Sequence, residues 1–127
     1  MKKWELCTPP GEHVVRSVSM LVGDDLLVCL WGGTQPHIGA VALALPRPSI
    51  ADPAVTSSTS SVLTLLGHKE DVVAKAVSER LSARLNRNVV VCAGMHWDHL
   101  DLRSIDGIME DCLRLADSIA AVVEREA

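Results

Sequence analysis

The apolar positions of this chain change their spacing several times, and each change marks an element. Val14, Val18, Met20 and Val22 stand against Ser17 and Ser19 with a period close to two, the pattern of a half-buried strand. Gly23-Asp24 follows as a hairpin turn. Leu26 to Trp31 is then almost continuously apolar, as in a strand buried on both faces, until Gly32-Gly33 stops it. A third apolar run spans Ile38 to Leu45 and ends at Pro46-Arg47-Pro48. From Pro46 to Thr59, prolines and small polar residues predict a long surface loop. Ser61 to Leu66 reads as a fourth strand and Asn88 to Cys92 as a fifth. Residues 1–12 are polar, end in Pro9-Pro10-Gly11, and read as a lead-in.

Two segments carry helical spacing instead. From about His68 to Leu85, Val73, Val77, Leu81 and Leu85 recur every four residues, with Val72 and Ala76 alongside. Glu70 and Asp71 suit the positive end of that helix's dipole. From about Arg103 to Arg125, one stripe collects Ile105, Ile108, Cys112, Ala116, Ile119 and Val123. The strands that flank the first helix should run parallel through a right-handed crossover. The first three strands should be antiparallel. The expected architecture is α/β in one domain over 1–127: a single mixed sheet of about five strands with two long helices packed on it.

Composition narrows the function. A hydrophobic content of 48% with 22% charged residues fits a folded chain able to bury a core. There is no Phe and no Tyr, so ring stacking on a ligand falls to Trp4, Trp31, Trp97 or a histidine. The net charge of −4 and the lack of a basic run argue against nucleic acid, whose backbone demands clustered Lys and Arg. Cys7, Cys29, Cys92 and Cys112 form no Cys-x-x-Cys pair, which argues against a zinc site or disulfide framework, and Cys29, Cys92 and Cys112 lie in apolar runs and read as small buried hydrophobes. No apolar run reaches membrane-spanning length and the start lacks a signal core, so the expected location is cytoplasmic.

The candidate chemistry gathers at strand ends. Ser58, Thr59, Ser60 and Ser61 precede a short apolar strand, and Gly67-His68-Lys69 then opens the first helix. Free backbone N–H groups at a helix start attract an anion, glycine permits close approach and Lys69 adds a point charge. A capped helix with a solvated lysine is the ordinary alternative. His37, beside Gly39, stands at a strand start, and His96 with Asp98 follows the fifth strand. At the carboxyl ends of strands these groups could serve a ligand, a divalent metal or general-base chemistry, although their spacing matches no metal signature. Ordinary loop histidines give the same pattern.

Taken together, His37-Ile38-Gly39-Ala40-Val41, Ser58-Thr59-Ser60-Ser61-Val62, Gly67-His68-Lys69-Glu70-Asp71, Leu85-Asn86-Arg87 and Val89 to Asp98 resemble the prenylated-flavin chaperone family typified by the D subunit of gallate decarboxylase. The pairing of Gly-His-Lys with Ala-Gly-x-His-x-Asp in this order carries most of the resemblance. Leu66, where a proline is expected, and Trp97, where a small aliphatic residue is expected, depart from the pattern.

The resemblance implies a fold similar to proteasome assembly chaperones of the third type. It also implies a non-catalytic accessory protein that binds prenylated FMN, or FMN, and delivers it to a UbiD-type decarboxylase. By position, Lys69, His68 and Ser58–Ser61 would hold the phosphate, while His37, His96 and Asp98 would face the cofactor or a divalent metal beside it. A flavin prenyltransferase is the implied source. A homodimer is expected because the sheet has edges to cover. Two other readings stay open: a metal-dependent enzyme using His37, His68, His96 and Asp98, and a pure subunit-assembly chaperone.

Overall fold

The computed structural model describes residues 1–65 and 70–127. Within them the elements are β1 (Lys3–Cys7), β2 (Val15–Val22), β3 (Asp25–Gly33), β4 (Ala40–Pro48), β5 (Thr56–Thr64), α1 (Glu70–Leu85), β6 (Val89–His96) and α2 (Leu102–Glu126). The strands form one six-stranded sheet in the order β1-β2-β3-β6-β4-β5. The mixed sheet with two helices matches the expected class.

The hairpin β2–β3 turns at Gly23-Asp24, where Gly23 takes φ 62°, a left-handed value that glycine adopts without a Cβ clash. β6 then lies parallel to β3 and antiparallel to β4. The expected parallel sense of the strands flanking α1 holds in direction, because β5 and β6 each run antiparallel to β4. They are not neighbours, since β4 lies between them. Likewise β4 does not pair with β3, because β6 is inserted there.

Three local expectations are corrected. The lead-in contains β1, whose Trp4 and Leu6 alternate inward against exposed Lys3, Glu5 and Cys7. Five residues hold too little pattern to declare themselves without the neighbouring β2. The long loop shrinks to residues 49–55, because β4 continues to Pro48 and β5 begins at Thr56. Pairing with β6 stops at Ala44, so Pro46 and Pro48 occupy a stretch that behaves as an edge, where proline is tolerated. The helix stripe is also shifted: Val72 is 52% exposed, whereas Ser78 and Ser82 are buried and bond to backbone carbonyls of Lys75 and Arg87.

β3 is the most instructive departure. Leu26, Val28 and Leu30 are buried, but Leu27, Cys29 and Trp31 are half-buried on the opposite side. The continuous apolar run therefore serves one covered face and one open face, not two covered ones. The core lies between the sheet and the helices. There Val28, Val91 and Ala42 meet Val77 and Leu81 of α1, with Cys112, Ile119 and Val123 of α2 in the same cluster. Arg80 and Asp117 join the two helices across their outer surface by a two-pronged contact of 2.8 and 2.9 Å.

Candidate functional site

The carboxyl end of β6, the segment that follows it and the first turns of α1 and α2 meet around a cavity of about 650 Å³. Val72, Met95, Trp97, Leu100, Ile105 and Met109 give it mostly apolar walls, and Glu70, His96 and Asp106 add polar points. Beside the cavity, two glycines allow the approach to β4 to sit against β6 and Glu70. A Cβ at Gly94 would enter the backbone carbonyl of His37, and one at Gly39 would meet Glu70 Oε2 at 2.7 Å. The loop carrying His37 is therefore pressed onto β6, and the Glu70 carboxylate onto Gly39. Trp97 packs its indole near Gly32 and meets the His13 ring edge-on, with centroids 5.3 Å apart.

Glu70 is the polar centre of this corner. Its residue surface is 4% exposed although it opens α1. Oε1 lies 3.0 Å from His37 Nε2 and accepts from the Met95 backbone N–H at 3.4 Å. Oε2 is buried with no hydrogen-bond partner among the described residues. An unsatisfied buried carboxylate oxygen is costly, which makes it a natural acceptor for a donor brought by water or ligand. Sequence reasoning assigned Glu70 to the helix dipole alone. The missed signal was its phase: Glu70, Val73, Val77 and Leu81 share one stripe of α1, and all four are buried.

The predicted residues divide into groups. His37 and Gly39 meet at Glu70. His96 lines the cavity, and its Nε2 lies 3.0 Å from Asp98 Oδ1, although the Asp98 side chain is 72% exposed. Ser58–Ser61 alternate across β5. Ser58 Oγ donates to the Glu79 carbonyl at 2.8 Å, and Thr59 accepts from Arg47 Nε at 2.6 Å on the other side. Ser60 Oγ is buried without a partner among the described residues, and Ser61 is exposed. Glu79 is nine residues beyond Glu70, roughly 13 Å along the helix axis, so Ser58 stands well away from the helix start. Gly67, His68 and Lys69 lie outside the described residues.

Among the described residues no group of three His, Cys, Asp or Glu side chains is placed to hold a metal ion. At the rim, Asp101 caps α2 by accepting from the Ser104 N–H at 2.8 Å, and this backbone hydrogen bond holds its carboxyl below the ordinary carboxylate range. No helix among the described residues is long and apolar enough to cross a membrane.

Comparison with known proteins places this geometry in context. Residues 10–124 match the family described as the prenylated flavin chaperone LpdD-like domain. Protein LpdD of Lactiplantibacillus plantarum is 24% identical over 93 residues, which cover 73% of this chain and 65% of that protein. The match therefore spans just under two thirds of the curated relative's length. A chain from the crystal structure of a chaperone complex for yeast 20S proteasome assembly aligns with TM-score 0.52 and 18% identity, covering 93% of this chain and 98% of that one. At that identity the likeness shows the fold alone.

Proposed function

Because this chain belongs to the prenylated flavin chaperone LpdD-like family, we propose that it carries prenylated FMN in the cavity beside Glu70 and delivers it to a UbiD-type decarboxylase. The family is one of chaperones, in agreement with the non-catalytic reading. The observation that carries the proposal is the cavity itself. Its volume of about 650 Å³ falls in the range of cofactor sites, and its walls are apolar with a few convergent polar groups. A fused ring system with a prenyl-derived extension presents that mixture of surfaces.

In this reading Trp97 and Met95 flank the ring, Glu70 and His96 meet its polar rim, and His37 acts behind them by holding Glu70. Lys69 and His68, which the sequence puts next to the start of α1, hold the phosphate. Once transferred, the cofactor supplies the reactive ring for decarboxylation; this chain has to bind it, orient it and keep its apolar part from water. A flavin prenyltransferase is the expected donor.

The test is anaerobic co-expression with a flavin prenyltransferase, followed by native mass spectrometry and an absorbance spectrum of the purified protein. A bound mass of prenylated FMN is the expected result, weakened severely by Lys69→Glu without loss of fold. An apo protein from cells whose prenyltransferase is demonstrably active would overturn the carrier reading. Transfer is then read as activation of a purified apo-decarboxylase by the loaded protein.

A further inference from the structure

We propose that the outer edge of β5 is a docking strand, on which an extended segment of a UbiD-type decarboxylase pairs backbone to backbone. The choice of that partner rests on the carrier reading; the open edge does not. β5 ends the sheet, and its one strand partner among the described residues is β4. The Leu65 N–H donates to the Gly39 carbonyl at 2.9 Å, and the Ser49 N–H to the Val55 carbonyl at 2.7 Å. These two bonds fix the phase of the ladder at both ends, so the odd-numbered residues of β5 bond to β4. The N–H and C=O groups of Thr56, Ser58, Ser60, Val62 and Thr64 therefore point away from the sheet. None of them has another backbone partner among the described residues. Pro46 and Pro48 agree with this phase, because they stand opposite Ser58 and Thr56, where β4 owes β5 no N–H.

The two edges of the sheet are built differently. β1 has five residues and carries Lys3 and Glu5. It is also tied to the end of α2, by Lys2 Nζ to the Glu126 carbonyl and by Trp4 Nε1 to Glu126 Oε1 at 3.3 Å. Short length and charge are the ordinary means of keeping an edge from pairing with another chain. β5 has neither. Thr56 to Thr64 runs nine residues without a charge or a proline, and its register against β4 is unbroken by a bulge.

The occupant follows from the edge and its surroundings. A row of alternating donors and acceptors at strand spacing is matched by another extended backbone, not by a helix, whose own groups are already bonded. Side chains set the pattern of that segment. Ser58 Oγ donates to the Glu79 carbonyl, and Glu70 opens α1 six residues after Thr64, so α1 runs back along β5. At the Ser58 end stand Arg47, bonded to Thr59, and the Lys75–Glu79 ion pair. At the Thr64 end stand Leu63, Leu65 and Val72, which are 72%, 61% and 52% exposed. The incoming segment is thus polar where it meets Ser58 and apolar where it meets Leu63 and Val72. A second copy of β5 is a poor match: in full antiparallel overlap it would set Ser57 against Leu63, polar end on apolar end.

Position joins this edge to the site. Val72 lines the cavity as well as standing beside the Thr64 end of β5. A strand laid on β5 therefore ends at the mouth of the cavity, and holds the receiving enzyme where a ligand would leave.

The test is amide hydrogen exchange of the full chain, read by NMR alone and with a purified UbiD-type apo-decarboxylase. Alone, the amides of Ser57, Thr59, Ser61 and Leu63 should exchange slowly, and those of Ser58, Ser60 and Val62 about tenfold faster or more, at every protein concentration. The apo-decarboxylase should slow the second set to the level of the first. Thr56→Pro with Thr64→Pro removes two outward N–H groups at exposed positions that an edge tolerates. The pair should weaken the complex by about tenfold in calorimetry, with circular dichroism and retention of prenylated FMN unchanged. Thr64→Lys, a charge on the edge, replaces it should the proline variant fail to fold. A complex in which Ser58, Ser60 and Val62 still exchange fast overturns the proposal, and so does the absence of any complex. Slow exchange of these amides in the free chain at high concentration assigns the edge to a second copy and overturns it too. Docking in this manner by a chain that never retains prenylated FMN would sink the carrier reading and leave the docking strand standing.

Discussion

The imidazole of His37 joins the approach of β4 to the buried first residue of α1, with Nε2 3.0 Å from Glu70 Oε1. The other ring nitrogen, Nδ1, lies 2.9 Å from the carbonyl oxygen of Gln35. A carbonyl can only accept, so hydrogen-bond pairing assigns a proton to Nδ1. Both ring nitrogens thus face an oxygen, one a backbone carbonyl and the other a largely buried carboxylate.

Removing one member exposes the other's cost. His37→Ala should destabilise the protein by about 1–3 kcal/mol, since Glu70 keeps only the long Met95 N–H contact among its described partners. Urea denaturation of His37→Ala, Glu70→Gln and the double variant measures this. The double variant should lose less than the sum of the single losses, because the two act as a unit. Strict additivity would show that water replaces the ring without penalty.

The two glycines at the site should behave differently. At Gly94 an added Cβ meets the backbone carbonyl of His37, which no rotamer change can relieve. Gly94→Ala should therefore cost more than about 4 kcal/mol or prevent folding. At Gly39 the obstacle is the Glu70 carboxylate, the end of a side chain that can move. Gly39→Ala should cost less, and Glu70→Ala in the same chain should recover part of the loss. Equal thermal stability of the two single alanine variants would contradict this placement.

Cys112 links stability to alkaline pH. Burial pushes its thiol from the usual 9.0 up to about 12, with nearby Asp111 adding to the rise. Between these values the unfolded chain loses the proton while the folded chain keeps it. Stability should therefore fall as pH rises above about 9, with a limiting slope of about 1.4 kcal/mol per unit from this group. Cys112→Ala should lower stability at neutral pH through the cavity it leaves, and flatten this alkaline limb. Urea titrations at a series of pH values distinguish the two effects.

At the acid end the contact between α1 and α2 responds in the opposite sense. The Arg80 guanidinium holds the Asp117 carboxyl below its ordinary range, chiefly through the side-chain hydrogen bond. Its contribution is present above the ordinary carboxylate pKa and is lost as pH falls through the lowered folded value. The Asp117 side chain is 40% exposed, so water screens the pair and Asp117→Asn should cost at most about 1 kcal/mol at neutral pH. The difference from wild type should vanish in strong acid. Thermal melts at neutral and acid pH check both statements.

The legibility of the sequence followed how many neighbours each residue needs. The α2 stripe was readable because Ile108, Cys112, Ile119 and Val123 report a single buried side at helical spacing. β2 was readable for the same reason at period two. β1 and the first half of β5 were not, because short or serine-rich segments take their order from a paired strand. The insertion of β6 between β3 and β4 left no local trace, since pairing partners distant in sequence have no shared pattern. At the site, His37, Gly39 and His96 were visible as strand-end chemistry. Glu70 was not, because a carboxylate in a first helical turn already has an ordinary explanation and its burial depends on a loop some thirty residues earlier.

The position of β6 also bears on synthesis. It is the last strand to be made, yet it alone bridges β3 on one side and β4 on the other. Without β6, the β1–β2–β3 meander and the β4–β5 hairpin share no ladder. Residues 89–96 must emerge before either piece can find the other, and α2 can complete the core only after that. A nascent chain that ends before this strand lacks the ladder that joins the two pieces.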